Sequence, residues 1–165
     1  MDRTAYDVAA DYMRLGIRER AGLENHPAIM HMLTLDHSWP QNDETPWCGG
    51  FANTVCFNAG RERTKSLLAR SFLGIGLPIE LDHARVGNDV VVLKRGSGVQ
   101  PGPEDVNAPG HVGFFAGATP DTVFLLGGNQ SDAVNIREYP ISRLLGVRRL
   151  RSLYSLGDSH ARQDR

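Results

Sequence analysis

The chain has only two cysteines among its 165 residues, Cys48 and Cys56. They form no C-x-x-C pair, which argues against a structural zinc site; no cofactor is expected. On one helix they would lie roughly 12 Å apart at about 1.5 Å rise per residue, whereas a disulfide needs Cα atoms within about 7 Å. No apolar run is long enough to span a membrane, so membrane insertion is not expected. Met1-Asp2-Arg3-Thr4 is not a basic segment leading into an apolar stretch. No signal peptide is visible, and synthesis in the cytoplasm is expected. The formal net charge of −1 gives no general attraction to a polyanion, and no nucleic-acid partner is expected. No internal repeat and no linker divides the chain. What remains is 41% hydrophobic and 22% charged, the balance of a globular protein. The reading is one domain over residues 1–156, followed by a flexible polar tail over 157–165.

Helical patterning dominates the first half. Thr4 and Asp7 make a capping-box-like start, apolar Ala5, Val8, Ala9, Tyr12 and Leu15 follow, and Gly16 ends the helix. Asn25-His26-Pro27 can cap a second helix carrying Ile29, Met30, Met32 and Leu33. Asp36 to Thr45 is polar and irregular. Thr45 and Pro46 suit the N-cap and first position of a third helix, reaching Ala59 and stopping at Gly60. Ser66 to Leu73 reads as a short helix. The second half reads as strands: 89–95, 111–115, 122–126, 133–139 and 146–150, with a turn containing Gly117 and Pro120 and a short helix from Pro140. Helices followed by consecutive strands indicate an α+β fold, N-terminal helices packed on a central antiparallel sheet.

Cys48 carries the most chemical information. The first turn of a helix has unpaired N–H groups and a positive dipole end, and both favour the thiolate. A free cysteine is usually a small buried hydrophobe, and mid-helix Cys56 is read that way. Gly49 and Gly50 each lower helix propensity by roughly 1 kcal/mol relative to Ala, so the pair implies close approach by a strand or a substrate. Of the six histidines, His111 stands at the mouth of an apolar strand, where imidazole can serve as general base. Asn129, after Gly127-Gly128, is the candidate to orient it, with Gln130, Asp132 and Glu104 in reserve. The Cys48 N–H is a candidate oxyanion donor, with a side-chain amide of Asn42 or Gln41 in support.

Asp43-Glu44-Thr45-Pro46-Trp47-Cys48, Asn88-Asp89-Val90-Val91-Val92, Gly110-His111-Val112-Gly113-Phe114 and Leu126-Gly127-Gly128-Asn129-Gln130-Ser131-Asp132 together resemble the NlpC/CHAP-type papain-like cysteine hydrolases. The closest likeness is to a phage-associated subgroup of peptidoglycan amidases and peptidases, and it runs from about Tyr6 to Arg149. The resemblance implies the papain-like NlpC/CHAP fold, with Cys48 as nucleophile, His111 as base and Asn129 as orienting residue. Asn42, Trp47 and Gln130 are the oxyanion or substrate candidates. Many CHAP domains carry Glu where this chain has Gly127, and the aspartate-rich calcium loop of some phage lysins is not evident. The implied substrate is peptidoglycan, cut in the stem peptide or at the sugar–peptide amide, by a monomer that uses no metal. As a phage endolysin or an antibacterial effector it would act on the wall in the periplasm or outside the cell. Its partners would be a holin for release or a cognate immunity protein. The rivals are a non-catalytic wall-binding or phage structural domain, and a zinc amidase using Cys48 with histidines. Arg143, Arg148, Arg149 and Arg151 read either as a solvated face or as a patch drawn to an anionic envelope.

Overall fold

The computed structural model describes residues 3–22 and 24–154. The tail expected to be flexible, with His160 in it, lies outside the described residues. Three helices precede six strands: α1 (Ala5–Arg14), α2 (Pro27–Thr34), α3 (Cys48–Asn58), β1 (Leu77–Ile79), β2 (Asp89–Lys94), β3 (Gly110–Ala118), β4 (Thr122–Gly127), β5 (Asn135–Pro140) and β6 (Leu144–Arg149). All pairings are antiparallel, in the order β1-β6-β2-β3-β4-β5. The expected α+β architecture with an antiparallel sheet is what forms.

Local chemistry explains most boundaries. The Thr4 side chain accepts from the Asp7 N–H while the Asp7 carboxylate accepts from the Thr4 N–H, so Asp completes a capping box. Gly16, at φ +68°, ends that stretch. His26 caps α2 through Nδ1, which accepts from the Ala28 N–H, and Pro27 opens the helix. The expected helix over Ser66 to Leu73 is a 3-10 turn over Ala69–Gly74. The short edge strand β1 went unread, because three residues carry too little pattern. Gly117 is not in the β3–β4 turn. It sits at φ +151° in a bulge within β3, and the turn closes instead by Thr119 N–H donating to the Thr122 carbonyl.

The sheet buries both faces. Val90, Val92, Val112, Phe114 and Leu126 pack against the helices, while Val91, Leu93, Phe115, Val123, Leu125 and Val147 form a second cluster. Two buried faces explain why β2 reads as an unbroken apolar run rather than as alternation. Asp89, almost fully buried, fixes one end of β2 through a two-pronged pair with Arg149 of β6, at 2.8 Å on each side. Arg149 is thus committed to Asp89, and Arg151 lies 3.7 Å from Glu62. The four C-terminal arginines therefore do not act as one free patch.

The centre of the assembly is α3, buried from Cys48 to Cys56. Its glycines permit that burial. A Cβ on Gly49 would stand 2.3 Å from the Leu67 carbonyl oxygen, and one on Gly50 would stand 2.8 Å from that of Met32. The close approach expected from the glycine pair is real, but the approaching groups are loop and helix backbone rather than a strand or a substrate. Gly49→Ala should therefore destabilise the protein by roughly 1–3 kcal/mol in urea unfolding, as overpacking against rigid backbone does. Gly74→Ala is the control. Nothing lies within 4 Å of its added carbon, and the midpoint should stay within about 0.5 kcal/mol of wild type.

Candidate active site

Helix α3 begins at Cys48 itself, with Trp47 as N-cap, and not at Pro46 behind Thr45. Thr45 is used elsewhere, its N–H donating to the Asn42 carbonyl in the preceding turn. Trp47 is fully buried, and its indole N–H donates to the Glu19 carboxylate at 2.7 Å. That anchor sets the line along which the chain enters the helix. It also removes Trp47 from the substrate candidates. Among the described residues no side chain caps α3, so its first N–H groups meet no side-chain acceptor there.

Cys48 is 3% exposed. Burial, the strongest influence on its thiol, favours the neutral form. A hydrogen bond and charge from His111, a backbone hydrogen bond from Val112 and the charge of Arg95 act the other way. Together they hold the Cys48 pKa below the ordinary thiol value. At Cys56, on the same helix, burial, joined by the charge of Glu62, outweighs the flanking charges of Arg63 and Arg61. The Cys56 pKa is pushed up to about 12, as fits a core residue.

His111 lies near the start of β3 and is 7% exposed. Its partner is Gln130, not Asn129: Nε2 lies 2.9 Å from Gln130 Oε1. The buried Gln130 amide has one possible orientation. Its Nε2 donates to the carbonyl oxygens of Leu125 at 3.2 Å and Asn135 at 2.7 Å, and to the Asn135 Oδ1 at 3.1 Å. The oxygen must therefore face the imidazole, and His111 must carry its proton on Nε2. Nδ1 is then the ring nitrogen left to receive a proton from the thiol. Tyr139 donates its hydroxyl to the same Gln130 oxygen at 3.0 Å and packs its ring 5.3 Å from that of His111. Burial pushes the Tyr139 pKa up to about 12, so it remains a donor. Asn129 occupies the turn at φ +55° and lines the hollow beside His111, without touching the imidazole through any hydrogen bond among the described residues.

Gly127 makes the His111–Gln130 bond possible. A Cβ there would lie 2.9 Å from Gln130 Oε1 and 3.4 Å from His111 Nε2. Gly128 lets α3 close on the same turn, since its Cβ would stand 2.6 Å from both Phe51 and Trp47. These contacts join the Cys48 helix to His111 and Gln130.

A cleft of about 500 Å³ opens at Cys48 between Leu67–Ala69 and Asn107–Gly110, with Arg95 and Gln100 on its rim. The loop forming one wall is held by Arg70, a fully buried cation. Its Nε donates to the Pro109 carbonyl at 3.0 Å, and its Nη1 to those of Pro101 at 3.1 Å and Gly102 at 2.6 Å. Gly110 is bare where a Cβ would come within 2.7 Å of the Arg70 side chain. The sequence offered no sign of Arg70, because carbonyl acceptors scattered over a Gly/Pro-rich loop leave no motif. Asn42 and Gln41 are exposed and do not line this cleft. Gln130 spends its amide N–H groups on carbonyls, so it is not an oxyanion donor. The Cys48 N–H remains the available one.

The other histidines serve elsewhere: His26 caps α2, His37 bonds the Lys65 carbonyl, and His31 and His83 are exposed. Among the described residues, no group of three or more His, Cys, Asp or Glu side chains is arranged to hold a metal ion. No helix there is long and apolar enough to cross a membrane. No protein-family model matches the chain, and a search of curated proteins returns no match.

Two outcomes are expected. Iodoacetamide should modify Cys48 and spare Cys56 in the native protein, with a rate midpoint below the ordinary thiol pKa. In His111→Ala that midpoint should rise, since burial is then largely unopposed; an unchanged midpoint would refute the pairing. Arg70→Lys should lower stability by roughly 2–3 kcal/mol in thermal unfolding, because one ammonium cannot reproduce the spread of a guanidinium over separate carbonyls.

Proposed function

We propose that this chain is a papain-like cysteine hydrolase of the NlpC/CHAP type that cleaves an amide bond in peptidoglycan. The observation that carries the reading is the series Cys48, His111, Gln130: a thiol at an uncapped helix start, an imidazole that lowers its pKa, and a buried amide that fixes the imidazole tautomer. Helix, strand and turn supply these groups in the chain order of that family. Peptidoglycan as substrate rests on the resemblance of the sequence motifs around them.

The chemistry follows from the proton positions. His111 Nδ1 takes the thiol proton, leaving a thiolate beside an imidazolium whose Nε2–H is held by Gln130. The sulfur attacks the amide carbonyl, and the oxygen gathers charge against the Cys48 N–H at the helix start. The C–N bond breaks as His111 returns the proton to the departing amine, leaving a thioester. His111 then takes a proton from water. The hydroxide equivalent attacks the thioester carbonyl, the C–S bond breaks, and the acid product leaves with the thiol restored. Gln130 stays neutral throughout. It orients the ring and accepts its Nε2–H without the competing pull of a carboxylate.

Cys48→Ala should abolish solubilisation of purified peptidoglycan, with a loss of about 10³-fold or more, since no other nucleophile lines the cleft. Retained lysis by that variant would refute the thiol mechanism. Mass spectrometry of the fragments released by wild type identifies the amide that is cut.

A further inference from the structure

The two sides of the Cys48–His111 pair differ in charge. The cleft wall over Leu67–Ala69 is largely apolar. On the other side, a hollow lined by His111, Asn129 and Tyr139 is ringed by Lys94, Arg95, Arg137 and Arg143. Lys94 and Arg143 continue into an adjoining hollow formed with the loop from Gly96 to Gln100. Among the described residues, no Asp or Glu lines any of these three depressions. None of the four cations forms an ion pair among the described residues. Arg137 is aimed across the turn by its hydrogen bond to Ser131 Oγ.

A chain of net charge −1 has carboxylates enough to neutralise such a group. Four unpaired cations around one hollow repel one another, and an anion placed among them relieves that repulsion. Arginine also presents the planar fork that suits a carboxylate. The site's chemistry says which part of the substrate reaches them. His111 hands its proton to the departing amine, so the amine half of the substrate leaves along the His111 side, where the cations stand.

We propose that Arg95, Arg137 and Arg143, with Lys94, form a subsite for a carboxylate on the leaving-amine half of a peptide substrate. This specificity assignment rests on the cysteine-hydrolase reading for its direction. Recognition of the carboxylate itself does not require turnover. The acyl half, by contrast, meets the largely apolar wall over Leu67–Ala69, with Arg95 shared between the two sides.

The test uses Cys48→Ala protein and two tetrapeptides that differ only in ending as a free carboxylate or as a carboxamide. Calorimetry should find the carboxylate form bound about tenfold more tightly. The preference should shrink at about 1 M salt, where the screening length falls to about 3 Å. Adding Arg137→Gln and Arg143→Gln should equalise the two peptides. Both side chains are exposed, so the unfolding midpoint should not move. Arg148→Gln, outside the hollow, should leave the preference intact. Equal binding of the two peptides by Cys48→Ala, or a preference that survives the double substitution, overturns the subsite. A carboxylate preference in a protein whose wild type cuts no amide supports the subsite while refuting the hydrolase reading, so the two failures are separable.

Discussion

Gln130 is buried with its amide nitrogen committed to the carbonyls of Leu125 and Asn135, and the chemistry around Cys48 follows from that commitment. An amide so held can offer the imidazole only its oxygen. The oxygen fixes the His111 proton on Nε2 and leaves Nδ1 basic. Tyr139 fills the second acceptor position of the same oxygen, so Gln130 has no free valence through which it could swing away. The carbonyls that hold it belong to the paired strands β4 and β5. The imidazole is therefore oriented by the fold rather than by a mobile loop.

The second constraint is distance, and glycine supplies it. Four close approaches converge on α3 and the β4–β5 turn: Gly49 under Leu67, Gly50 under Met32, Gly127 beside the His111–Gln130 bond, and Gly128 against Trp47 and Phe51. A side chain at any of them would push α3 from the Leu67 loop, from α2 or from the β4–β5 turn, or part the imidazole from its amide. The low helix propensity of Gly49 and Gly50 is tolerated because α3 is held by burial on nearly every side rather than by its own propensity. Arg70 extends the same logic to the opposite wall. There a single guanidinium replaces the secondary structure that the loop from Pro101 to Pro109 lacks.

Much of the fold could be read from periodicity and punctuation. The Thr4–Asp7 box, the Gly16 stop, the His26-Pro27 start and the strand runs of the second half all act locally, and local signals survive in sequence. Cys48 and His111 were legible for the same reason, since each stands at the start of an element. The third residue was not. Asn129 and Gln130 are neighbours in a turn, and sequence cannot say which of two adjacent amides points inward. That choice is made by Asn135 and Leu125, which bind the Gln130 amide, and by the positive φ at Asn129, which turns the chain at that point. The N-cap was misplaced for a comparable reason. Thr45 has the right chemistry, but Trp47, anchored to Glu19, decides where the helix begins. In both cases a long-range contact overrode a local preference.

Cys48 and Cys56 show how much of the reactivity is made by placement. Both are buried, both lie on α3, and both have burial as the strongest influence on the thiol. At Cys56 the charges of Arg63 and Arg61 do not offset it, and the pKa is pushed up to about 12. At Cys48 the outcome reverses, because the His111 ring, the Val112 backbone and Arg95 converge on one sulfur. The desolvation that silences Cys56 also strengthens those interactions at Cys48, since each acts through a medium of low dielectric constant. Exposure alone therefore does not distinguish the two thiols. A buried sulfur at the end of a helix, next to an imidazole of fixed tautomer, is better prepared for attack than an exposed one, provided that the cleft admits the carbonyl.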